Sequence, residues 1–378
     1  MGFELTEEQE LIKAAAREFA LTELEPIASK TDLEGVYPSE IMKKLADLQM
    51  TGIQYPVEYG GAGADYMSYA VVIEELSRSC ASTGVILACH LLAASPIYIF
   101  GTPEQKAKFI PLITEYKTLG GFALTEAGAG SDAGALTTTA TLDGDYYVLN
   151  GSKTFITNGD ECGLMIVMAK TTQGIGTKGI SAFIVEKAVS SWTVGKHEDK
   201  MGVRGSQTTA IFFKNCRVPK ENLLGKEGDG FKIALATLDG GRIGIGAQAL
   251  GIAQACLDES VRHAKERKQF GKPLAANQAI QWMIADMQTD ILAARQLVYT
   301  AASLKDAGKP FSLEAACAKV FAAETAVKHS VKAVQIQGGY GYMRGAKVER
   351  LMRDAKITEI YEGTSEVQRM VISGIVLK

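Results

Sequence analysis

The sequence predicts an α+β protein in which two α-helical regions flank an antiparallel β domain. Apolar residues recur every three or four positions up to about residue 115, which is the period of an amphipathic helix. Residues 120–218 instead contain short, β-branched runs bounded by turn residues, and the helical period returns after residue 225. We therefore predict an N-terminal α-helical domain (1–118), a middle β domain (119–225) and a C-terminal α-helical bundle domain (226–378).

The composition indicates a soluble globular protein that does not bind nucleic acid. Hydrophobic residues make up 47% and charged residues 22% of the 378 positions. The 40 basic and 43 acidic residues give a net charge of −3, without a basic block that could follow a phosphate backbone. The apolar stretches are expected to be too short to span a bilayer, so no membrane partner is predicted. The acidic N-terminus has no signal or transit pattern, which predicts a cytoplasmic protein.

The cysteines and histidines predict neither a disulfide framework nor a metal site. The six cysteines include no Cys-x-x-Cys pair, and the four histidines are equally dispersed. Buried, reduced thiols are the ordinary state of such cysteines in a cytosolic protein.

The N-terminal domain is predicted to consist of helices that each bury one apolar face. Leu11, Ala15 and Phe19 are spaced i, i+4, i+8 and define the predicted face of the first helix. Pro38 begins a second helix, which is expected to run to residue 50. The pattern continues over residues 66–78, 83–99 and 103–113.

The middle domain is predicted to be a small antiparallel barrel or sandwich. Asp143-Gly144-Asp145 lies between two of its short runs and predicts a hairpin. No helical pattern separates the runs, which argues against a parallel α/β sheet. The runs cover residues 122–125, 137–142, 146–149, 154–157, 164–169, 180–185 and 208–213.

The C-terminal domain is predicted to be an antiparallel helical bundle. One apolar stripe has the 3-4-3-4-3 spacing of a helix in a bundle core, and it consists of Ile284, Met287, Ile291, Ala294, Val298 and Ala301. The two helical regions must pack together and carry the β domain beside them. That arrangement predicts a cleft at the junction, where ligands commonly bind.

A glycine-rich segment, residues 128–133, imitates the G-x-G-x-x-A dinucleotide fingerprint. In a Rossmann fold this turn leads into a helix whose N-terminus holds the pyrophosphate. Here the residues that follow read as another strand, which disfavours a Rossmann domain. The turn can still present backbone N–H groups to an anion such as a phosphate.

Glu362 is a candidate general base. It lies between a predicted helix ending near residue 357 and another that Thr364 or Ser365 can cap. Tyr361 and Gly363 flank it, and such surroundings can desolvate a carboxylate. A helix cap or a surface charge is the alternative interpretation.

Two other motifs are open to a structural or a functional interpretation. Asp239 and Arg242 lie three residues apart at the predicted start of a helix, where they can pair with each other or bind a polar ligand. Residues 335–341 end a helix, and a C-cap turn is their ordinary explanation.

Four segments, in order along the chain, resemble signature segments of the acyl-CoA dehydrogenase family. They are FALTEAGAGSD (122–132), RKQFG (267–271), QIQGGYG (335–341) and YEGTSE (361–366). The resemblance covers essentially the full length and is greatest to the short-chain, butyryl-CoA dehydrogenase group. It implies an N-terminal α-helical domain, a middle antiparallel β domain and a C-terminal four-helix bundle. It also implies a homotetramer with one FAD in each subunit.

The resemblance implies a division of labour in catalysis. Glu362 matches the family's base, which removes the α proton of an acyl thioester while the β hydrogen leaves as hydride to flavin N5. The backbone N–H of Glu362 and an FAD ribityl hydroxyl would polarise the thioester carbonyl. Some members carry the base at the position of Gly241, and the glycine here disfavours isovaleryl-type chemistry.

By position, the resemblance implies two sets of binding residues. The cofactor-binding residues are expected to be Phe122, Leu124, Thr125, Gly130, Ser131, Phe155, Ile156, Thr157, Arg267, Gln269, Phe270, Gln278, Gln335, Ile336, Gly338, Gly339, Thr364, Ser365 and Glu366. The substrate-binding residues are expected to be Ser131, Asp239, Arg242, Tyr361 and Gly363. Of the first set, those at 267–278 and 335–339 match residues that contact the FAD of the partner subunit, which makes oligomerisation a functional need.

The resemblance favours an FAD-dependent short-chain acyl-CoA dehydrogenase that exchanges electrons with an electron-transferring flavoprotein. The first alternative is the same site in reverse, a 2-enoyl-CoA reductase acting on crotonyl-CoA or a bulkier or aryl enoyl-CoA, alone or in an electron-bifurcating complex. The second is a non-catalytic protein that binds flavin or CoA, which predicts loss of the base. Two features depart from the family pattern. Relatives often have Pro at the position of Ala127, and residues 85–92, beside the expected acyl pocket, are less typical. The length of the acyl chain that the protein accepts therefore stays open.

Overall fold

The computed structural model describes residues 4–378. Its N-terminal region is helical. Its helices agree with the predicted ones at 66–78, 83–99 and 103–113 to within two residues, because each has a clear start and stop in the sequence. A π-helical turn, Ala20–Leu24, joins the first two helices into one continuous rod. The helices are α1 (Glu7–Phe19), α2 (Glu25–Glu34), α3 (Ser39–Asp47), α4 (Tyr66–Ser79), α5 (Ala81–Phe100) and α6 (Pro103–Thr114).

Helix α1 buries a different face from the predicted one. Ala16 and Phe19 are buried, whereas Leu11 is 66% exposed. With 3.6 residues per turn, each i, i+4 step rotates about 40° around the helix, so Leu11 lies about 80° from Phe19. The predicted stripe was therefore wrong at Leu11 and also at Ala15, which is exposed. The second predicted helix also ends early, because Gln49 takes a left-handed conformation (φ 57°).

The middle region forms one mixed sheet in which most neighbouring strands are antiparallel. The strand order is β6-β7-β3-β2-β4-β5-β8, and β1 pairs with β4 in parallel. The strands are β1 (Leu119–Ala123), β2 (Thr139–Asp143), β3 (Tyr146–Thr157), β4 (Cys162–Lys170), β5 (Ile180–Glu186), β6 (Thr193–His197), β7 (Thr208–Pro219) and β8 (Leu223–Leu224).

The predicted hairpin is confirmed, but other details of the sheet differ from the sequence prediction. Asp143 pairs with Tyr146 across the two-residue turn, in which Gly144 has a φ of 61°. The predicted runs 146–149 and 154–157 are one strand, β3, whose register shifts near Gly151. Strand β6 was not predicted, because its residues are mostly exposed and lack an apolar alternation.

The C-terminal region is a helical bundle with one small hairpin. The predicted stripe on the second helix of this region is confirmed at five positions and ends half-buried at Ile284. Its fully buried residues are Met287, Ile291, Ala294, Val298 and Ala301. The helices are α7 (Gly230–Glu266), α8 (Gln278–Asp306), α9 (Ser312–Gln337), α10 (Lys347–Thr358) and α11 (Ser365–Val376). The hairpin, between α7 and α8, consists of β9 (Lys268–Gln269) and β10 (Lys272–Pro273).

Helix α7 joins the two helical regions. It packs against α8 and α9 of its own region and against α4 and α5 of the N-terminal region. At its crossing with α4, a methyl group added to Gly251 would overlap the Glu74 carbonyl. The backbones therefore approach closely only because position 251 has no side chain.

Helix α5 is an exception to the prediction that the apolar stretches are too short to span a bilayer. Its 20 residues have a mean hydropathy of 1.8 and are long and apolar enough to cross a membrane. Within the protein, however, 78% of the apolar window is buried. A buried helix at the centre of a protein core has the same composition, so length and apolarity are weak support for a membrane span here.

Replacing Gly251 with Ala tests the α4–α7 crossing. The added methyl group must displace backbone, so we expect a loss of about 1–3 kcal/mol in the free energy of unfolding. Gly374→Ala in α11 is the matched control, because a Cβ there meets no atom within 4 Å. The control should change stability by less than about 1 kcal/mol. Equal denaturation midpoints for the two variants would contradict the close-approach interpretation.

Candidate active site

A cleft of about 660 Å³ lies where the β domain meets the turn between α10 and α11. Its walls come from the loop after β1, the end of β3, the connection between β6 and β7, and residues 353–364. The predicted site residues that line it are Thr125, Gly130, Ser131, Phe155, Thr157, Tyr361, Glu362, Gly363 and Thr364. The fold therefore brings together segments that lie more than 200 residues apart in the sequence.

Glu362 lies on a left-handed turn at one wall of this cleft. Its φ is 54°, which is unfavourable for a residue other than glycine, and Gly363 follows with a φ of 89°. Thr364 caps α11 by accepting a hydrogen bond from the Val367 N–H at 3.3 Å, which confirms the predicted cap. Outliers of this kind persist only where the surroundings enforce them, and they are frequent in active sites.

The Glu362 carboxyl group is poised between its neutral and ionised forms. Its Oε2 atom is buried and has no hydrogen-bond partner in the described chain. Burial raises its pKa to about 7, while the positive charges of Arg242 and Lys319 act in the opposite direction. A Cβ on Gly241 would lie 2.5 Å from Oε2, so glycine at that position leaves room for the carboxylate.

Two side chains hold the backbone of the Glu362 turn. Lys319 Nζ donates to the Gly363 carbonyl at 2.8 Å. Gln368 Nε2 donates to the Gly363 carbonyl at 2.8 Å and to the Glu362 carbonyl at 3.1 Å. Sequence reasoning missed both residues. For Lys319 a signal existed, because it lies three or four residues from Ala315, Ala316, Ala322 and Ala323, which form the buried stripe of α9.

Asp239 and Arg242 form the ion pair that the sequence left as one of two possibilities. Arg242 donates to Asp239, and Ser312 Oγ donates to the other oxygen of the same carboxylate at 2.6 Å. The pair lies about ten residues inside α7, which corrects its predicted place at a helix start. Arg242 is only 4% exposed, and its Nε atom has no partner in the described chain. The guanidinium thus lies in the core behind Glu362.

A buried ion pair shapes the loop after β1. Lys153 Nζ donates to Glu126 Oε1 at 2.8 Å and to the Leu124 carbonyl at 3.0 Å. The same carboxylate accepts from the N–H groups of Thr137 and Thr138. These partners hold the pKa of Glu126 at about 2, against the opposing effect of burial, so it is ionised at neutral pH. Sequence reasoning missed Lys153, because the irregularity in β3 hides its inward direction.

The predicted flavin-facing residues differ in what they present to the cleft. Phe155 is 64% exposed and has a φ of 57°, so its apolar ring is open to the cleft. Ile156 is 2% exposed and points into the core, so any contact it makes with a ligand would use its backbone. Leu124 is also buried, and Phe122 is half-buried against the core. After the glycine-rich loop, Ala133–Ala135 form a 3₁₀ turn and β2 follows, as expected for a fold that is not Rossmann.

A second group of predicted cofactor residues lies outside the lining of this cleft. The Arg267 guanidinium lies 5.6 Å from the centre of the Tyr340 ring, so the β9–β10 hairpin meets the turn after α9. Phe270, at the hairpin tip, is 98% exposed. Gly338 ends α9 with a φ of 60°, as predicted for a C-cap turn. The group consists of Arg267, Gln269, Phe270, Gln278, Gln335, Ile336, Gly338 and Gly339.

The remaining predicted residues lie at the start of α11 and beside the turn. Ser365 is buried and its Oγ has no partner in the described chain, whereas Glu366 is exposed in the first helical turn. Tyr361 donates from its hydroxyl group to Gln248 of α7. Tyr361, the residue before Glu362, is therefore anchored to the long helix.

Sequence comparison identifies the family across almost the whole chain. Residues 6–117, 121–216 and 228–377 match the N-terminal, middle and C-terminal domains of acyl-CoA dehydrogenases, respectively. The chain is 52% identical over 379 residues to a short-chain specific acyl-CoA dehydrogenase of Clostridium acetobutylicum, and the match covers 100% of both chains. It is also 52% identical to an acryloyl-CoA reductase (NADH) of Anaerotignum propionicum, covering 100% of this chain and 96% of that protein.

Structural comparison gives the same result. A chain solved in a study of the electron transferring flavoprotein of Acidaminococcus fermentans and of flavin-based electron bifurcation superposes with a TM-score of 0.98. The two chains are 51% identical, and the match covers 100% of each. Fold, site geometry and full-length similarity agree: the chain belongs to the acyl-CoA dehydrogenase family.

Proposed function

We propose that this protein is an FAD-dependent short-chain acyl-CoA dehydrogenase in which Glu362 removes the α proton of the acyl thioester. The observation that carries the proposal is the Glu362 carboxylate, which has an unpartnered oxygen beside a ligand-sized cleft. An α C–H bond is weakly acidic. A base that removes its proton must therefore be desolvated, so that its pKa is raised toward that of the substrate. A pKa of about 7 for Glu362 meets that requirement.

The turn also offers a donor for the thioester carbonyl. The backbone N–H of Glu362 donates no hydrogen bond to any group in the described chain. A free N–H beside the base is positioned to stabilise negative charge that develops on the carbonyl oxygen as the α proton leaves. Lys319 and Gln368 fix the direction of this N–H, because they hold the carbonyls of the same turn.

The cleft fits the flavin part of FAD. Phe155 presents a flat apolar surface, and Thr125, Ser131 and Thr364 place polar groups around it. An exposed aromatic ring in a cleft is typical of a surface that stacks against a planar ligand. A flavin held there would supply the acceptor for the β hydrogen of the substrate, which would leave as hydride.

The group at 267–278 and 335–339 is proposed to bind the adenine and pyrophosphate part of FAD in a partner subunit. It lies outside the cleft lining and includes Phe270, which is almost fully exposed. Tyr340, Tyr342 and Met343, in the turn that the hairpin meets, are also more than half exposed, and a group of exposed apolar residues is typical of a contact surface. A homotetramer, as the family resemblance implies, would cover it. The tetramer and the cytoplasmic location stay predictions.

The reverse reaction is the second candidate function. A relative that is 52% identical bears the name acryloyl-CoA reductase, which favours an enoyl-CoA reductase that uses the same residues. An electron-transferring flavoprotein is proposed as the partner in either direction, because the similar A. fermentans chain was solved in a study of that protein. A non-catalytic binding protein is disfavoured, because Glu362 is present and desolvated.

Anaerobic addition of butyryl-CoA to the purified protein should bleach the flavin absorbance band. Glu362→Gln should retain FAD but reduce the bleaching rate by about 10²–10⁴-fold, since it removes the base. Glu324→Gln is the matched control, because Glu324 lies outside the cleft lining and pairs with Arg369 at the surface. Bleaching of the Glu362 variant at the wild-type rate would refute the assigned role.

The bleaching rate at limiting substrate should depend on pH. Glu362 acts in its ionised form, so protonation below its pKa of about 7 removes activity. The rate should therefore rise between about pH 6 and pH 8 and then level off. The oxidised flavin spectrum, recorded at each pH before substrate is added, controls for loss of cofactor. A rate that is constant or falls over this range would show that another group sets the profile.

Lys153→Met tests whether the buried ion pair supports the flavin loop. It leaves the Glu126 carboxylate without its cation, so we expect a loss of about 3–5 kcal/mol in stability and faster release of FAD. Lys220→Met is the control, because its pair with Asp145 is exposed to solvent and should contribute little to stability. The measurements are the melting temperature and the flavin retained after gel filtration. Equal retention in both variants would separate the ion pair from cofactor binding.

A further inference from the structure

Lys319 is a fully buried cation on an alanine-rich face of α9. Burying an ammonium group costs free energy unless other groups compensate it. None of the carboxylates in residues 4–378 lies within ion-pair distance of Nζ. Its hydrogen-bond acceptor is instead the Gly363 carbonyl, at 2.8 Å. The lysine is therefore placed where it serves the turn that carries Glu362.

The hydrogen bond from Lys319 acts on a strained piece of backbone. Glu362 and Gly363 both have positive φ angles, and a positive φ at Glu362 is retained only if the surroundings enforce it. Lys319 and Gln368 reach the Gly363 carbonyl from α9 and α11, so the turn is held from both sides. Of these two donors, only Lys319 is charged.

The charge of Lys319 acts on the Glu362 carboxylate without blocking it. A directly paired lysine would occupy the carboxylate oxygen that has to take up the substrate proton. Glu362 Oε2 instead has no partner, and the Lys319 charge still opposes the effect of burial on the Glu362 pKa. Burial lowers the pKa of Lys319 to about 8, so the ammonium is the main form at neutral pH.

We propose that Lys319 is a positioning residue of the reaction, which fixes the Glu362–Gly363 turn and stabilises the ionised carboxylate from a distance. The proposal rests on the proposed function of Glu362 as the base. Other groups also bear on this pair from the packed elements. The charges of Arg242, Glu359 and Glu366 act on the pKa of Lys319 or Glu362. The Glu362 carboxylate in turn raises the pKa of its neighbours Tyr66, Tyr69, Cys89 and Tyr361.

The test compares Lys319→Met with Gln368→Met in the holoenzyme. The first variant removes a charge and a hydrogen bond, and the second removes hydrogen bonds to the same turn without a change in charge. The Glu362 carboxyl is titrated by infrared difference spectroscopy, with Glu362→Gln providing the subtraction. The pH profile of butyryl-CoA-dependent flavin bleaching is measured in parallel.

We expect Lys319→Met to move the Glu362 titration and the acid limb of the profile upward by about half a pH unit or more. Gln368→Met should move neither by more than about 0.2 unit, because it leaves the charge in place. The maximal bleaching rate should fall in both variants. An unmoved titration in Lys319→Met, or an equal shift in both variants, overturns the proposal.

A second variant covers the case in which Lys319→Met does not fold, and a separate outcome tests the proposed function itself. If Lys319→Met does not yield folded holoenzyme, Lys319→Gln replaces it, because glutamine removes the charge and retains a donor. The same upward shift is expected, and its absence overturns the proposal. If no acyl-CoA bleaches the wild-type flavin and no enoyl-CoA reoxidises the reduced flavin, the proposed function fails. The infrared titration then still decides whether Lys319 acts on the Glu362 carboxylate.

Discussion

The close approach of α7 to its neighbours is the constraint on which the rest of the structure depends. This helix contacts both helical regions, which are separated in sequence by the whole β domain. The absence of a side chain at Gly251 allows α4 to cross it backbone to backbone, and the absence of one at Gly241 leaves space for the Glu362 carboxylate. One helix therefore unites the helical regions and also determines which carboxylate can reach the cleft. A larger residue at 241 would have to displace the Glu362 carboxylate.

Hydrogen-bond partners, rather than residue type, decide what each buried glutamate does. Glu126 has a lysine and two backbone N–H groups, so its carboxylate stays ionised and serves as a structural anchor. Glu362 has an oxygen with no partner, so burial raises its pKa and leaves it able to exchange a proton. The two environments also differ in cost. A satisfied buried pair stabilises the loop, whereas an unsatisfied carboxylate costs stability that the fold must supply elsewhere.

The sequence predicted the features that depend on neighbouring residues. Helix caps, the Asp143-Gly144-Asp145 hairpin and the turn around Glu362 each have local signals, and the order of helices and strands follows from their periodicity. Features that depend on distant partners were missed or misplaced. Lysine side chains are exposed in most proteins. The burial of Lys153 and Lys319 is explained only by their contacts with Glu126 and Gly363, which lie 27 and 44 residues away, respectively. For the same reason, Leu11 was predicted to be buried but is exposed, and the mostly exposed strand β6 was not predicted. Burial depends on what packs against an element, which the local sequence does not show.

The geometry of the site is compatible with both reaction directions for which its relatives are named, dehydrogenation and enoyl reduction. A base that removes an α proton must return it in the reverse reaction, because both directions share one transition state. With a pKa of about 7, Glu362 is divided between its carboxylate and its acid near neutral pH, so both forms are populated. Neither the turn nor the cations behind it distinguishes oxidation from reduction. The direction of the reaction must therefore be set by the relative electron affinities of the flavin, the substrate and the electron carrier, and not by the residues that handle the proton.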